Sequence, residues 1–348
     1  MLDEEHEDLE RDDNDENLYS LGSIAGHNAV IVCLPAGRIG NNPAAAVAMQ
    51  MRATFRGIQF RLMVGIGGGV PSAEADIRLG DVVVSQPHQT FGGVIQYDLG
   101  KTTLSGFERT GSLNSPPQIL LAAVAQVRAN ELRGRSRLSQ HISKLDRIPK
   151  FQRDRAGPDI LFEAIYNHEG EQTCDLCNSD RQKTRQPREN DEVVVHYGII
   201  ASGNQVMRNG CTRDKLSREL GGILCFEMEA AGLMNSFPCL VIRGICDYAD
   251  SHKNETWYPY AAGTAAVYAK EVLSRIPTTE RAKIHAREST KEYRSMLLQQ
   301  EADLLDLKHQ LLKRELPPQI LWQKPIVLND ARGRRFPFHL ELIDSAEV

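Results

Sequence analysis

The stretch Leu240-Val-Ile-Arg-Gly-Ile-Cys-Asp247 decides the fold, because it is a nearly continuous apolar run that ends in a carboxylate. Such runs are typical of strands that are buried on both faces of a sheet. Working outward, further strands are predicted at 18–24, 28–34, 61–64, 81–85 and 193–202, and one begins at Cys225. Helices are predicted between and after them, at 44–55, 119–130, 213–220 and 260–275. The alternation predicts an α/β layered domain that ends near Pro277.

Composition excludes several classes of protein. The chain has 348 residues, a formal net charge of −5, 41% hydrophobic residues and 25% charged residues, which is typical of a globular protein. The acidic balance argues against a nucleic-acid partner. The apolar stretches are too short to span a bilayer, and no signal peptide opens the chain, so no membrane partner is expected. Seven scattered cysteines favour reduced thiols in a cytoplasmic protein, with a nuclear location as the alternative.

Charge and periodicity divide the chain into regions. Residues 1–277 form the predicted main domain, in which about 131–190 are polar, poorly periodic and interpreted as an insertion. Residues 1–17 hold ten acids against one arginine, which predicts a solvated, frayed terminus, with a partner-binding tail as the alternative. Leucines repeat every seven residues in 278–316, which predicts a linker helix or a short coiled coil. Residues 317–348 are interpreted as the start of an incomplete C-terminal domain.

A glycine-rich loop is predicted after the strand at 61–64, in Gly65-Ile-Gly-Gly-Gly69. Glycine lets backbone N–H groups approach a phosphate or a nucleotide. The dinucleotide fingerprint needs glycine at position 70, where this chain has Val, and the P-loop needs glycine at position 95, where it has Ile. The loop matches neither motif, so a ligand site and a tight turn both stay open.

Two stretches place carboxylates in apolar surroundings. Glu227 and Glu229 lie two residues apart where a predicted strand meets a helix, and a carboxylate there can accept two hydrogen bonds from a vicinal diol such as that of ribose. Asp247 follows directly on a buried strand, where α/β sheets place their ligand sites. With a raised pKa, its carboxyl group could act as a general acid. The alternative for each acid is an ordinary capping or loop carboxylate.

Five segments together resemble the nucleoside phosphorylase superfamily, which includes purine and uridine phosphorylases and methylthioadenosine/S-adenosylhomocysteine nucleosidases. The segments are Val64-Gly-Ile-Gly-Gly-Gly69, Leu79-Gly-Asp-Val-Val-Val-Ser85, Gly198-Ile-Ile-Ala-Ser-Gly203, Phe226-Glu-Met-Glu-Ala230 and Val241-Ile-Arg-Gly-Ile-Cys-Asp247. They follow the family's order over about residues 18–277, and the likeness is strongest to fungal domains at the front of multidomain receptor-like proteins. The resemblance implies a three-layer α/β/α sandwich with a central mixed sheet, and a homo-oligomer.

The resemblance also implies a reaction, the cleavage of the N-glycosidic bond of a purine nucleoside or an adenine nucleotide without a metal or an organic cofactor. Asp247 would be the catalytic residue that protonates purine N7, and Glu229 would hold the ribose diol. Five further residues would line the substrate: Glu227, Met228 against the ribose, Val206 by its backbone at the adenine edge, and Gly67 and Gly68 at the floor.

Two departures from the family bear on that reaction. Phosphorolytic members place an Arg and a Ser on phosphate where this chain has Met63 and Ile66, which favours hydrolysis over phosphorolysis. Family members also begin with a strand and a loop, and in hydrolytic members that loop carries the water-activating Glu. We expect this chain to start after that unit, within the first helix at Met1 to Glu5, so that the first strand is missing. The alternatives are therefore an impaired purine-sensing or oligomerisation module and a phosphate-dependent phosphorylase.

A possible metal site is the last motif. Cys174-Asp-Leu-Cys177 has metal-ligand spacing, and His168 is close in sequence. A structural zinc site needs four ligands, and the sequence offers no fourth nearby. A plain loop pair is therefore the prediction, and zinc is the weaker alternative.

Overall fold

A computed structural model describes residues 2–9, 14–170, 173–188, 192–253 and 255–278, and beyond them 299, 303, 327–329 and 335–337. Strands and helices are numbered in chain order. The strands up to residue 278 are β1 (Glu4–Glu5), β2 (Tyr19–Ile24), β3 (His27–Val32), β4 (Leu62–Gly69), β5 (Val82–Ser85), β6 (Val94–Gln96), β7 (Gly100–Thr103), β8 (Gly106–Arg109), β9 (Val195–Ser202), β10 (Ile223–Glu227) and β11 (Leu240–Asp247). The helices are α1 (Asn41–Thr54), α2 (Gln118–Leu132), α3 (Leu138–Leu145), α4 (Gly210–Glu219), α5 (Ala231–Met234) and α6 (Tyr258–Leu273).

In the described part of the chain the central sheet has six strands, in the order β10-β4-β11-β5-β9-β6. Because β10 also pairs with β9, five of the strands close into a ring. The sheet is mixed: β4 runs parallel to β11 and antiparallel to β10, while β5, β6 and β10 all run parallel to β9. The strand β4 pairs with β11 from Leu62 to Gly68 and with β10 at Gly68 and Gly69.

Helices cover both faces of this sheet. Side chains alternate along β11, so Leu240 and Ile242 pack towards α2 and α6 while Val241 and Ile245 pack towards α1 and α5. Every residue of β11 is buried, which agrees with its continuous apolar run. Burying one such aliphatic side chain contributes about 1.5–3 kcal/mol to folding. The arrangement confirms the predicted three-layer α/β/α sandwich with a central mixed sheet.

The N-terminal strands differ from the prediction. Instead of continuing a helix, Glu4 and Glu5 form β1, which pairs antiparallel with β2 and builds a separate three-stranded sheet with β3. The apolar run at 30–34 was predicted as part of a buried strand, but its residues are half-buried or exposed. The backbone of the β2–β3 hairpin offers an edge, and an extended acidic segment can pair there while its carboxylates stay in water.

Part of the acidic segment is also held in place, contrary to the expectation of a frayed terminus. The carboxylate of Asp15 is buried, accepts a hydrogen bond from Tyr19 Oη at 2.6 Å and binds the hydroxyl of Thr54. Asp3 forms an ion pair with Lys270 of α6. These contacts fix both ends of the segment around residues 10–13, which lie outside the described residues.

The region interpreted as an insertion contains α3 and, in its described residues from 149 onward, four short 3₁₀ turns joined by irregular loops. Gly100-Lys-Thr lies in β7, which forms a hairpin with β8. That hairpin was not predicted, because its sequence is polar and shows no apolar run, and β6 was not predicted, because its three residues are too few to show a period.

A second unit, Thr279–Val348, is separate from Met1–Thr278. Its described strands are β12 (Val327–Asn329) and β13 (Arg335–Pro337), which pair antiparallel. Apart from residues 299 and 303, the helix predicted at 278–316 lies outside the described residues from 279 onward, as do the strand-like pieces predicted at 320–322 and 338–343. None of the helices in the described part is long and apolar enough to cross a bilayer.

Candidate active site

The carboxyl ends of β10 and β11 meet on either side of β4. Gly68 pairs with Phe226 of β10 and also with Asp247 of β11. Neighbouring strands are about 4.8 Å apart, so the backbones of Phe226 and Asp247 lie about 10 Å apart across Gly68. The structure therefore brings Glu227, which follows Phe226, and Asp247 to one edge of the sheet.

The glycines between these ends are required by close packing. Gly67 and Gly68 lie inside β4, not in a turn, because the strand extends through Gly69. A Cβ atom on Gly68 would lie 2.7 Å from Asp247 Oδ1, and one on Gly67 would lie 2.9 Å from the backbone oxygen of Phe226. Both distances are shorter than a carbon–oxygen contact allows. The absence of side chains here lets the two strand ends approach each other.

Glu227, Glu229 and Arg243 form one buried charged cluster. The Glu227 carboxylate accepts hydrogen bonds from the backbone N–H groups of Glu229 and Ala230, each at 3.1 Å, and binds Arg243 Nη2. The same Nη2 atom lies 3.1 Å from Glu229 Oε2. The side chains of Arg243 and Glu227 are 5% and 1% exposed, whereas that of Glu229 is 15% exposed. Glu229 is thus the carboxylate that a ligand can reach, and Glu227 holds Arg243.

Protonation follows from these contacts. Burial raises the pKa of Glu229 above its ordinary value, although Arg243 opposes the shift. The pKa of Arg243 is also raised, because Glu227 and Glu229 together outweigh burial, so its guanidinium stays charged. The backbone N–H of Gly40 also hydrogen-bonds to Glu229 and favours its carboxylate.

Asp247 has the contacts of a carboxylate. Its side chain is 4% exposed, Oδ1 accepts a hydrogen bond from the N–H of Ala249 at 2.8 Å, and Oδ2 lies 2.8 Å from Lys253 Nζ. Lys253 is six residues further along the chain, in the loop that follows β11. The lysine on this loop supplies the counter-charge that the buried carboxylate needs.

The remaining substrate-binding candidates lie on the loops around this edge. Met228 is half-buried next to Glu229, and Val206 is 48% exposed in the loop after β9. That loop begins at Gly203, whose N–H donates a hydrogen bond to the backbone oxygen of Glu227 at 3.2 Å. It is held further on by Asn204, whose N–H donates to Asp98 Oδ2 at 2.6 Å.

Three residues that hold the site were missed by the sequence reasoning: Arg243, Lys253 and Asn41. Asn41 begins α1, and its Oδ1 accepts a hydrogen bond from the N–H of Gly232 at 3.1 Å. The backbone N–H of Asn41 donates to Asn204 Oδ1 at 3.0 Å. Asn41 therefore connects the start of α1 to α5 and to the loop after β9. The lone arginine in the apolar run 240–246 was a usable signal, because a buried arginine needs acidic partners.

Met63 and Ile66, the positions at which phosphate ligands were considered above, face the core. Met63 packs against the core between β11 and helices α1 and α5, and Ile66 packs against a cluster that includes Trp257. Arg61 stacks over the ring of Phe237, 4.5 Å from its centroid. None of the three offers a charge to an anion near Gly67.

A cavity of about 330 Å³ lies elsewhere and includes none of the predicted site residues. Its arginines are engaged internally: Arg188 binds both carboxylate oxygens of Asp81 at 2.7 Å, and Arg185 binds Asp159 at 2.7 Å. The lining is therefore an ion-pair network that connects residues 183–188 to Asp81, just before β5, and to Asp159. The weak metal candidates His168, Cys174 and Cys177 do come together, with their donor atoms within 4.8 Å of one another.

Comparisons with known proteins agree with this arrangement. A nucleotide-binding leucine-rich repeat (NLR)-like protein of Hyaloscypha variabilis is 46% identical over 277 residues, which are 78% of this chain and 27% of that protein. The chain thus spans about a quarter of the length of this relative. A 5'-methylthioadenosine/S-adenosylhomocysteine nucleosidase of Mycobacterium tuberculosis is 24% identical over 265 residues, 75% of this chain and 85% of that protein. An ATP nucleosidase of Escherichia coli is 31% identical over 87 residues, 23% of this chain and 17% of that protein.

The family model described as the phosphorylase superfamily matches residues 3–274. That range contains every strand and helix of the first unit and all the segments on which the resemblance was based. The resemblance is confirmed, and this chain belongs to the phosphorylase superfamily.

Proposed function

We propose that the domain cleaves the N-glycosidic bond of a purine nucleoside or an adenine nucleotide, with water as the nucleophile. The observation that carries the proposal is the pair of carboxylates, Glu229 and Asp247, at the ends of β10 and β11 on either side of Gly68. The proposal assigns the ribose to the first strand end and the purine to the second. Membership of the superfamily and the nucleosidase relatives support it.

The chemistry follows from the two ends. Glu229 accepts hydrogen bonds from the ribose 2′- and 3′-hydroxyls, and such charge-assisted bonds are stronger than neutral ones. The bond between the sugar C1′ and the base nitrogen breaks, which builds positive charge on the sugar ring and negative charge on the departing base. Water forms a new bond to C1′ and loses one proton to the solvent. Asp247 takes up a proton, displaces its contact with Lys253 and donates that proton to purine N7, so that the base leaves as a neutral molecule. Buried, preorganised charges at both ends lower the barrier.

Water is favoured over phosphate because of the groups around Gly67. Phosphate binding needs charge-assisted donors, and Met63 and Ile66 supply none. The described site contains Arg243 as its buried arginine, and both acids of β10 already engage it. A dianion placed there would compete with Glu227 and Glu229 for one guanidinium.

The substrate class follows from the site and the relatives. An adenine nucleoside satisfies both carboxylates, and the ATP nucleosidase relative supports including adenine nucleotides among the candidates. A purine-sensing module within a longer receptor-like protein is the second candidate, because the likeness to the NLR-like relative covers 27% of that protein. Such a module would bind the same ligand at the same residues without turnover, or would serve to oligomerise. A phosphate-dependent phosphorylase is the third candidate.

The experiment measures base release by the full 348-residue chain, with the adenine that is released quantified by chromatography. Adenosine, 5′-methylthioadenosine, S-adenosylhomocysteine, AMP and ATP are each offered with and without phosphate. We expect adenine release that phosphate does not accelerate, and a loss of about 10²- to 10⁴-fold in Asp247→Asn. The matched control is Asp180→Asn, on an exposed turn away from the site.

Each outcome separates the candidates. Acceleration by phosphate would support a phosphorylase in place of a hydrolase. Binding of adenosine without adenine release, lost in Glu229→Ala, would support the sensing module. Undiminished turnover in Asp247→Asn would remove Asp247 from its catalytic role.

A further inference from the structure

A cluster of metal-ligating side chains lies outside the site described above. His168, Cys174 and Cys177 each offer one ligand atom, and all three atoms lie within 4.8 Å of one another. In a tetrahedral zinc site, bonds of about 2.0–2.3 Å place the ligand atoms about 3.3–3.8 Å apart. The three side chains therefore need to close by about 1 Å or less to hold an ion. The sequence alone offered three ligands and no fourth.

The candidate for a fourth ligand is His252, on the loop after β11, which is not one of the three residues whose ligand atoms lie within 4.8 Å. His252 packs edge-to-face on His168, with ring centroids 5.6 Å apart, and stacks on Phe162 at 4.1 Å. Its side chain is 4% exposed. Nδ1 lies 3.6 Å from Asp250 Oδ1, within ion-pair reach, whereas Nε2 is buried with no hydrogen-bond partner. Buried polar atoms almost always have partners, so Nε2 points to a ligand.

The surroundings of the cluster are those of outer-shell groups at a metal. His168 Nε2 lies 3.0 Å from the backbone oxygen of Thr173, and a proton on Nε2 leaves Nδ1 as a ligand atom. Metal-bound histidines commonly donate their second N–H to a carbonyl or a carboxylate, and Asp250 stands in that position for His252. The N–H of Glu169 points at Cys177 Sγ from 3.5 Å, as it would towards a thiolate.

The types of ligand also select the metal. A divalent ion takes cysteines as thiolates, and their protons are released when it binds. Two thiolates with two imidazoles in a tetrahedral set suit zinc better than the harder magnesium or calcium ions.

We propose that His168, Cys174, Cys177 and His252 bind one structural zinc ion. The ion joins His168 and the turn at Cys174–Cys177 to the loop that carries Tyr248 to Lys253, and Ser251 already accepts a hydrogen bond from the N–H of His168 at 2.9 Å. Because Lys253 pairs with Asp247, the zinc site fixes the loop on which the candidate general acid depends. Zinc content can be measured without substrate, so the proposal stands or fails independently of the proposed function.

The test uses the full chain, expressed and purified without chelators. Elemental analysis should find one zinc ion per chain, and X-ray absorption at the zinc edge should show two sulfur and two nitrogen ligands. Cys174→Ser and Cys177→Ser should lose the ion. His252→Gln should weaken zinc affinity by more than about 100-fold, beyond the 10- to 100-fold typical of an outer-shell change such as Asp250→Asn.

Matched controls are Cys33→Ser, Cys211→Ser and His88→Gln, which alter exposed residues of the same types and should leave zinc content unchanged. A metal-free chain after refolding with Zn²⁺, or a chain with a disulfide between Cys174 and Cys177, would overturn the site. Unchanged affinity in His252→Gln, or one nitrogen ligand in the absorption spectrum of the unaltered chain, would overturn the role of His252. The spectrum keeps that role testable if the variant fails to fold.

Discussion

The ends of β10 and β11 carry the same kind of group in different electrostatic settings. At the end of β10 two carboxylates, Glu227 and Glu229, share the single buried cation Arg243. At the end of β11 the single carboxylate of Asp247 has its own cation, Lys253. The first end therefore has an excess of one negative charge, whereas the second is balanced.

Because of this difference, one edge of the sheet can both bind neutral hydroxyl groups and supply a proton. An excess carboxylate with a partly exposed side chain is suited to accept hydrogen bonds from neutral hydroxyls. A balanced pair whose cation comes from a loop can be opened, which frees the carboxylate to carry a proton. Arg243, the partner of Glu227, lies within the strand β11. Lys253, the partner of Asp247, lies on a loop, so its position depends on that loop.

The largest expected effect comes from removing the cation of the first end. Arg243→Met leaves Glu227 buried without its counter-charge and should lower the free energy of unfolding by about 3–5 kcal/mol. Denaturant unfolding followed by circular dichroism measures this loss. The double variant with Glu227→Gln should recover part of it, since no unpaired charge remains. Equal losses in the single and double variants would show that the ion pair is not the cause.

Glu229→Ala sharpens the assignment of the two ends. The loss of charge-assisted bonds to the diol, worth about 1.5–3 kcal/mol, should weaken riboside binding by about 10- to 100-fold. Free adenine should bind as before, because its contacts lie at the other end. Calorimetric titration of adenosine and adenine compares the two, with the exposed Glu219→Ala on α4 as the control. A similar loss for adenine would contradict the assignment.

Removal of the second cation should have a smaller effect on stability. In Lys253→Met, Asp247 keeps the hydrogen bond from Ala249, and the side chain of Lys253 is already 16% exposed. The free energy of unfolding should fall by about 1–2 kcal/mol. The comparison fails if this variant is destabilised as strongly as Arg243→Met in the same unfolding assay.

The smallest effect is a dependence on pH at the first end. Burial raises the pKa of Glu229 above its ordinary value of 4.5, so the carboxyl group stays protonated to a higher pH than in the unfolded chain. Riboside affinity should therefore increase as the pH rises through this raised pKa, since the ionised form accepts both hydroxyls. Titrations of adenosine between about pH 4.5 and pH 8 would measure the change. In Glu229→Gln the affinity should not vary over that range.

Much of the fold was predictable because apolar runs and helical patterns are local. The strands β5, β9 and β11 and the helices α1, α2, α4 and α6 lie within a few residues of their predicted bounds. The strand β4 begins where it was predicted but continues through Gly69, where a loop was predicted. The strand β6 is too short to show a period, and β7 is polar. The prediction for the N-terminal segment was wrong. The strand β1 forms because it pairs with β2, and its own acidic sequence does not favour a strand.

For the candidate site, the family and the candidate residues Glu229, Asp247, Gly67 and Gly68 could be predicted from the sequence, because they occupy short segments next to strands. Their partners could not. Arg243, Lys253 and Asn41 make their contacts across gaps in sequence that no periodicity records. Ion pairs depend on which strand ends and loops meet in space, and that is set when the sheet closes through β10.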